Sequence, residues 1–128
     1  MTQRWLVRSS VAAGAAVALA LGTTGPAHAA DTQIFLYHNG HQLGHMYHSD
    51  PDPDTITVCD DYADGHGVRG VIFQAWGVQW RPAGVIDDGG DANCDSVVAP
   101  IVKDSFWKMQ LCWTGADNVC VSSKMFTE

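Results

Sequence analysis

Four cysteines are the feature that most limits how this chain can fold, because all of them follow a segment with the pattern of a secretory signal peptide. That segment starts with Arg4 and Arg8, continues with an apolar run too short to span a bilayer, and ends in Ala27-His28-Ala29. We therefore predict a cleaved signal peptide over residues 1–29 and a secreted, extracellular chain that begins near Ala30.

The cysteines are expected to form two disulfides, since export places them in an oxidising compartment. Cys112 and Cys120 flank a turn-like stretch that contains Gly115, so the two sulfurs should face each other across a hairpin. Cys59 is then left to pair with Cys94. The absence of any Cys-x-x-Cys spacing argues against a zinc ribbon and against a thioredoxin-like redox centre.

The net charge of the predicted mature chain limits its partners. Residues 30–128 contain fourteen acidic and five basic residues, a net charge of −9. Nucleic acid and anionic membrane surfaces are poor partners, because binding phosphate needs clustered lysine and arginine. An extracellular protein partner with a basic surface is compatible with this charge.

Short β-type segments separated by turn residues run through the mature chain. We predict extended segments at 33–38, 41–48, 55–60, 68–80, 85–87, 97–102, 105–113 and 119–126. Asn39-Gly40 is the strongest two-residue hairpin signal. The run 81–84, Arg-Pro-Ala-Gly, predicts a second turn. Gly70 and Gly77 predict bulges or a bend within the long segment.

These segments predict the fold class. No part of the mature chain shows sustained apolar spacing of three and four residues, so little helix is expected. The 99 residues after the signal peptide suffice for one small domain. We predict an all-β fold, a small disulfide-stapled antiparallel β-sandwich with an immunoglobulin-like or Greek-key arrangement; the alternative is a small β-barrel.

Alternation along the strands predicts which aromatic side chains are buried. Trp107, Met109, Leu111 and Trp113 project to one side of a strand and are expected in the core. Trp76, Val78 and Trp80 form a second stripe, for which burial is the leading expectation.

A small sandwich cannot easily bury both faces of the long segment, however. Val71, Phe73 and Ala75 line the face opposite the second stripe. The alternatives are that Gly77 redirects the stripe, or that Trp76 or Trp80 is exposed. An exposed pair would form a binding surface for sugar rings or for a protein partner.

Four histidines crowd the first hairpin and raise the possibility of a zinc or copper site. Across the Asn39-Gly40 turn, His38 and His41 are directly opposed, so these two could hold one metal ion. We expect His45 on the same face but about 13 Å along the strand, and His48 on the other face. Such a site would need a further ligand from elsewhere, such as His66 or an aspartate.

Acidic loops offer oxygen ligands of the kind that calcium prefers. The candidates are Asp50, Asp52, Asp54, Asp60, Asp61 and Asp64. Asp60, Asp64 and Gly65 fit the first, fifth and sixth places of the helix-loop-helix calcium loop. Tyr62 and Val71 occupy places where that loop needs oxygen ligands, which excludes the motif and leaves an irregular calcium site or solvated turns.

The sequence contains no motif of nucleophilic catalysis. None of its serines lies in a Gly-x-Ser-x-Gly elbow, and the cysteines are expected to be oxidised. A sandwich of this size also has little volume for a deep pocket that excludes water. We predict no enzymatic activity and no cofactor.

One run of the chain resembles a group of small secreted bacterial proteins. The run 58–69, VCDDYADGHGVR, has the Cys-Asp and Ala-Asp-Gly-x-Gly-Val elements of that group, which also has four cysteines. The resemblance covers about Thr55 to Ser122 and implies no particular activity. Secreted amylase inhibitors have a similar size and four cysteines, but they carry a Trp-Arg-Tyr triplet where this chain has Trp80-Arg81-Pro82.

These observations favour a secreted, non-enzymatic binding protein that acts as an adaptor or inhibitor through protein–protein contacts. One alternative is a carbohydrate-binding or cell-wall-binding module that uses Trp76 or Trp80. Another is weak metal binding through His38 and His41.

Overall fold

The computed structural model describes residues 32–50, 53–90, 93–117 and 119–128; the predicted signal peptide lies outside these ranges. The described residues form nine strands: β1 Thr32–His38, β2 His41–Ser49, β3 Thr55–Asp60, β4 Val68–Trp76, β5 Gln79–Asp88, β6 Asp95–Val98, β7 Phe106–Trp113, β8 Cys120–Ser122 and β9 Phe126–Thr127. No helix occurs among them, and hence none that could cross a lipid bilayer.

The strands form two antiparallel sheets, as the sequence predicts. The first sheet has the order β1-β2-β3-β6, and the second has the order β5-β4-β7-β8, with β9 also paired to β7. Chain crossings between the sheets bring β3 beside β6 and β4 beside β7. If β2 to β8 are labelled A, B, C, C′, E, F and G, the pairing is that of an immunoglobulin-like sandwich. The sheets remain separate layers and do not close into the alternative barrel.

The two sheets enclose one apolar core. The first sheet contributes Ile34, Leu36, Met46, Ile56 and Val58, and the second contributes Val68, Ile72, Trp107, Met109 and Leu111. Trp107 is completely buried, and its indole Nε1 donates a hydrogen bond to the carbonyl of Val102. The predicted core positions on β7 are therefore confirmed, except that Trp113, at the end of the strand, is only half-buried.

Gly70 lies where the two sheets pack closely against each other, and it is not the predicted bulge. It pairs regularly with Ile86 and with Leu111. A Cβ atom at this position would lie 2.5 Å from Val58 Cγ2 and 3.0 Å from Met46 Sδ. A side chain is excluded there because the opposite sheet already fills the space.

Of the two predicted turns, the one at Asn39-Gly40 is confirmed and the one at 81–84 is wrong. Asn39 and Gly40 have φ of 50° and 80°, the left-handed pair of a type I′ turn. The long segment 68–80 is not one strand, because the chain reverses at Gly77-Val78. Gly77 has φ of 62° and is the first of two turn residues between the paired Trp76 and Gln79, which is the glycine position of a type II′ turn.

Residues 81–84 form part of β5 and do not form the predicted turn. Gly84 pairs with Ile72 and Pro82 pairs with Phe73, so Ala83 is the extra residue of a β-bulge. The proline is tolerated because β5 is an edge strand of the second sheet, where a missing N–H costs no ladder hydrogen bond.

Two further predicted segments have different bounds. The segment 97–102 is represented by β6, which ends before Pro100. The segment 119–126 is divided into β8 and β9, because the Ser123 hydroxyl, and not a backbone carbonyl, accepts the N–H of Met109 at 2.8 Å. That side-chain contact interrupts the ladder between the two short strands.

Both disulfides have the predicted pairing. The bond between Cys59 and Cys94 joins the end of β3 to the residue before β6 within the first sheet. The bond between Cys112 and Cys120 joins β7 to β8 within the second sheet. Since each disulfide stays within one sheet, noncovalent contacts hold the two sheets face to face.

Asp88 provides one polar link between the sheets. Its side chain is buried at the end of β5 in the second sheet. Its Oδ2 accepts the backbone N–H of Asp60 in the first sheet at 2.7 Å, and its Oδ1 accepts the N–H of Gly90 at 3.2 Å. The buried carboxylate is therefore satisfied by two backbone donors, which lowers the cost of burying it.

We expect Asp88→Ala to lower the free energy of unfolding by about 2 kcal/mol, because it leaves a backbone donor without its charged acceptor. The neighbouring Asp87 is the control, since its ion pair with Arg69 is exposed to solvent. Asp87→Ala should cost less than about 1 kcal/mol. Urea denaturation with intact disulfides measures both values, and equal losses would contradict the structural role of Asp88.

Candidate functional site

An open cavity of about 470 Å³ lies at the end of the sandwich that contains the Asn39-Gly40 turn. It is lined by His38, Asn39, His41, Leu43, Tyr62, Asp64, His66 and Trp113. The lining residues come from the first hairpin, from the loop between β3 and β4, and from the end of β7. The predicted histidine pair therefore lies on the wall of a cavity.

The histidine rings in this cavity pack against aromatic side chains. His41 stacks on Tyr62 with ring centroids 4.4 Å apart. The His38 and Trp113 ring centroids lie 5.5 Å apart, and His66 packs against the same tryptophan in a T-shaped arrangement with ring centroids 5.3 Å apart. The cavity therefore has an aromatic wall that carries polar ring nitrogens.

The structure brings His66 and Asp64 to the same cavity as His38 and His41, as a composite metal site would require. Metal ligand atoms must converge, however. Among the described residues, the groups of three whose ligand atoms lie within 4.8 Å of one another include neither His38 nor His41. Metal binding by this pair stays a prediction, and the geometry shows ring packing.

The predicted faces of the other two hairpin histidines are wrong. Leu36 pairs with Gly44 and Tyr37 pairs with Gln42, so Leu43 is the extra residue of a β-bulge in β2. One extra residue reverses the side to which all later side chains point. His45 therefore lies on the outer face beside Phe35, and His48 points into the core.

A second candidate is an exposed surface of aromatic and cationic side chains, here called the aromatic–cation surface. It consists of two groups on opposite faces of the β4–β5 hairpin, Trp76 with Arg81 on one face and Phe73, Trp80 and Lys108 on the other. The Arg81 guanidinium lies 4.8 Å from the centre of the Trp76 ring. The Lys108 ammonium lies 4.7 Å from the Trp80 ring and 5.3 Å from the Phe73 ring.

The expected burial of the second tryptophan stripe is therefore wrong for part of the stripe. Trp76 is 57% exposed and Val78 is fully exposed, whereas Trp80 is half-buried. The cause is the turn at Gly77, which carries the hairpin tip beyond the core. Phe73 is half-buried on the outer face of the second sheet, opposite the core residue Ile72.

The outer face of the first sheet carries a polar network that has no local signal in the sequence. Asp61 Oδ2 lies 2.7 Å from His45 Nδ1 and accepts the side-chain amide of Gln42 at 2.7 Å. Tyr37 donates its hydroxyl to the Gln42 side chain at 2.8 Å. His45 also lies beside the Cys59–Cys94 disulfide, whose sulfurs are not available as thiolate ligands.

The aspartates considered as calcium ligands separate to opposite ends of β3. Asp54 immediately precedes β3, and Asp50 lies near the same end. Asp60 is the last residue of β3, and Asp61 and Asp64 follow it at the other end. Asp52 lies outside the described residues. The aspartates therefore do not form one common site.

Burial and like charges act together on Asp60. Burial raises the pKa of its carboxyl, and the negative charges of Asp88, Asp64 and Asp61 raise it further. The N–H of Tyr62, which donates to Asp60 Oδ1, opposes this shift. The end of the sandwich beside the cavity therefore carries concentrated negative charge.

The opposite end of β3 contains a buried polar group that was not predicted as a site. His48 is completely buried, and its Nε2 lies 2.9 Å from Asp54 Oδ1. Glu128 lies beside them, and the pKa of its carboxyl is raised by burial first and then by a hydrogen bond with Asp50. The sequence gives no local signal for this group, since Glu128 is distant along the chain.

Comparison with protein families, with curated proteins and with solved structures finds no match for this chain.

We expect Asp60→Asn to stabilise the protein near neutral pH, since it removes a charge that burial disfavours. Because the pKa of Asp60 is raised in the folded state, ionising its carboxyl lowers the free energy of unfolding as pH rises through the folded pKa. Below the ordinary pKa of 3.8 the carboxyl is protonated in both states, and this loss is absent. Asparagine keeps the acceptor for Tyr62. The gain at pH 7 should be below about 1 kcal/mol, because the group is partly solvated.

Thermal denaturation of wild type and variant at about pH 7 and about pH 3 measures this difference. The advantage of the variant should shrink in acid. An advantage of the same size at both pH values would contradict the electrostatic explanation.

Proposed function

We propose that this chain is a secreted, non-enzymatic binding protein that contacts another protein through the aromatic–cation surface. The observation that carries the proposal is the exposure of Trp76 at a hairpin tip, with Arg81 packed over its ring. Tryptophan and arginine are the residues most enriched among the energetic hot spots of protein interfaces.

The rigidity of this surface supports a binding role. Trp76 and Trp80 lie on paired strands, and their rings are held by Arg81 and Lys108. Side chains that are already ordered lose little conformational entropy when a partner binds. The hairpin tip, at which Val78 is fully exposed, suits a concave partner surface, as an inhibitor or adaptor would require.

The local charge favours a partner with carboxylates beside apolar side chains. Arg81 and Lys108 are two of the five basic residues that follow the predicted signal peptide, and one lies on each face of the β4–β5 hairpin region. The overall charge of −9 favours approach of a basic partner at long range. At contact distance the two cations dominate, so acidic groups are the complement that we propose.

Secretion is part of the proposal. The two disulfides fit an oxidising compartment outside the cytosol. The signal-peptide pattern of residues 1–29 supports export to that compartment. The resemblance to small secreted bacterial proteins agrees with this location.

Carbohydrate binding is the second candidate, because the exposure of Trp76 also suits stacking on a sugar ring. One face of the Trp76 ring is covered by Arg81, and one face of the Trp80 ring is covered by Lys108. A sugar would have to use the opposite faces or displace the cations. The cation packing therefore favours a protein partner.

We expect Trp76→Ala to weaken partner binding at least about tenfold, because it removes the proposed hot spot. The test captures partners from the native culture supernatant with tagged wild-type and variant chains, and then measures the affinity of the captured protein. Phe35→Ala is the matched control, since Phe35 is an exposed aromatic residue on the first sheet; it should leave binding unchanged.

Three outcomes would count against this proposal. The first is that the wild-type chain captures nothing, and the second is that Trp76→Ala and Phe35→Ala weaken binding equally. The third is pelleting of the wild-type chain with chitin, cellulose or peptidoglycan that Trp76→Ala abolishes, which would establish the carbohydrate alternative.

A further inference from the structure

The strongest unassigned group of metal-ligating side chains lies where the two sheets meet at the start of β3. His48 is near the end of β2, and Asp54 immediately precedes β3, so both belong to the first sheet. Glu128 follows β9, which pairs with β7 in the second sheet. The backbone carbonyl of Glu128 also accepts the N–H of Asp104 at 3.2 Å, which fixes its position.

His48 is held rigidly in this group. Its side chain is completely buried, and its ring stacks on Phe126 with centroids 5.3 Å apart. Its Nε2 lies 2.9 Å from Asp54 Oδ1. An imidazole that is fixed by complete burial and by a stacked ring is preorganised to act as a ligand.

The ligand atoms already converge. One ligand atom each from His48, Asp54 and Glu128 lies within 4.8 Å of the other two. Atoms bound to one zinc ion lie about 3 to 4 Å apart, since each Zn–N or Zn–O bond is about 2.1 Å long. Small side-chain movements would therefore complete a coordination sphere.

Two observations show that the group has unmet polar capacity. His48 Nδ1 and Glu128 Oε2 are buried and have no hydrogen-bond partner among the described residues. The carboxylates of Asp50 and Asp54 also lie close enough to that of Glu128 to interact electrostatically with it. A cation would neutralise these charges and bind the unpartnered Oε2 of Glu128.

The donor set selects the class of cation. Imidazole nitrogen suits zinc and other divalent transition metals, whereas calcium takes six to eight oxygen ligands. The group has no thiolate, because the cysteines form disulfides elsewhere. Zinc accepts a mixture of one imidazole and carboxylates at low coordination number.

We propose that His48, Asp54 and Glu128 form a binding site for a divalent transition-metal ion such as Zn²⁺, which joins the two sheets of the sandwich at the start of β3. The ion links the sheets where no disulfide does. This site is distinct from the predicted pair of His38 and His41, which lies at the other end of the sandwich beside the Asn39-Gly40 turn.

The test is calorimetric titration of zinc into the purified, disulfide-bonded protein after treatment with EDTA. The expected result is one site per chain and a rise of the melting temperature with zinc concentration. Glu128→Gln and Asp54→Asn should each weaken zinc binding at least tenfold, since each loses a charged ligand while keeping its shape. Both variants keep His48, so neither opens a cavity at this buried position.

The double variant His38→Ala, His41→Ala is the matched control and should bind zinc as the wild type does. In the wild type, the imidazole ¹⁵N resonances of His48 should shift when zinc is added. The proposal is overturned if zinc does not bind, if both carboxylate variants bind it with unchanged affinity, or if the control alone loses it. A larger thermal shift with calcium than with zinc would overturn the assignment of the ion class.

Discussion

The packing of two sheets that neither disulfide joins is the constraint on which the rest of this structure depends. Each disulfide reinforces one sheet, so the layers are held together by the apolar side chains between them. Trp107 and Met46 are completely buried in that layer, and Gly70 permits the close approach of the sheets. A small core of this kind leaves the ends of the sandwich as the places where polar contacts matter most.

Different polar groups link the two sheets at the two ends of β3. At one end, buried Asp88 accepts backbone N–H groups and crosses between the sheets, next to a cavity lined by histidine and aromatic rings. At the other end, His48 and Asp54 meet Glu128 from the opposite sheet. The tip of the hairpin between β4 and β5 extends beyond the core, which leaves Trp76 exposed.

Period-two alternation predicted the fold class and the core of β7, because every second residue of a regular strand faces the same side. Spacing and turn signals likewise predicted both disulfides and the Asn39-Gly40 hairpin. The same rule failed beyond Leu43, where a single extra residue reverses the faces of His45 and His48. The turn predicted at 81–84 from proline and glycine is a bulge at Ala83 within a strand. At Gly77 the predicted bulge or bend is a two-residue turn that reverses the chain, and glycine marks either feature because both can use a positive φ.

The sequence by itself determined that this chain forms a stapled, all-β domain, because alternation, turn residues and paired cysteines are local properties. It also placed His38 and His41 opposite each other across their turn. Only the tertiary structure decided that Trp76 is exposed and that His48 is buried beside Asp54 and Glu128. Those outcomes depend on strand register and on contacts between residues far apart in the chain, and neither has a local signature in the sequence.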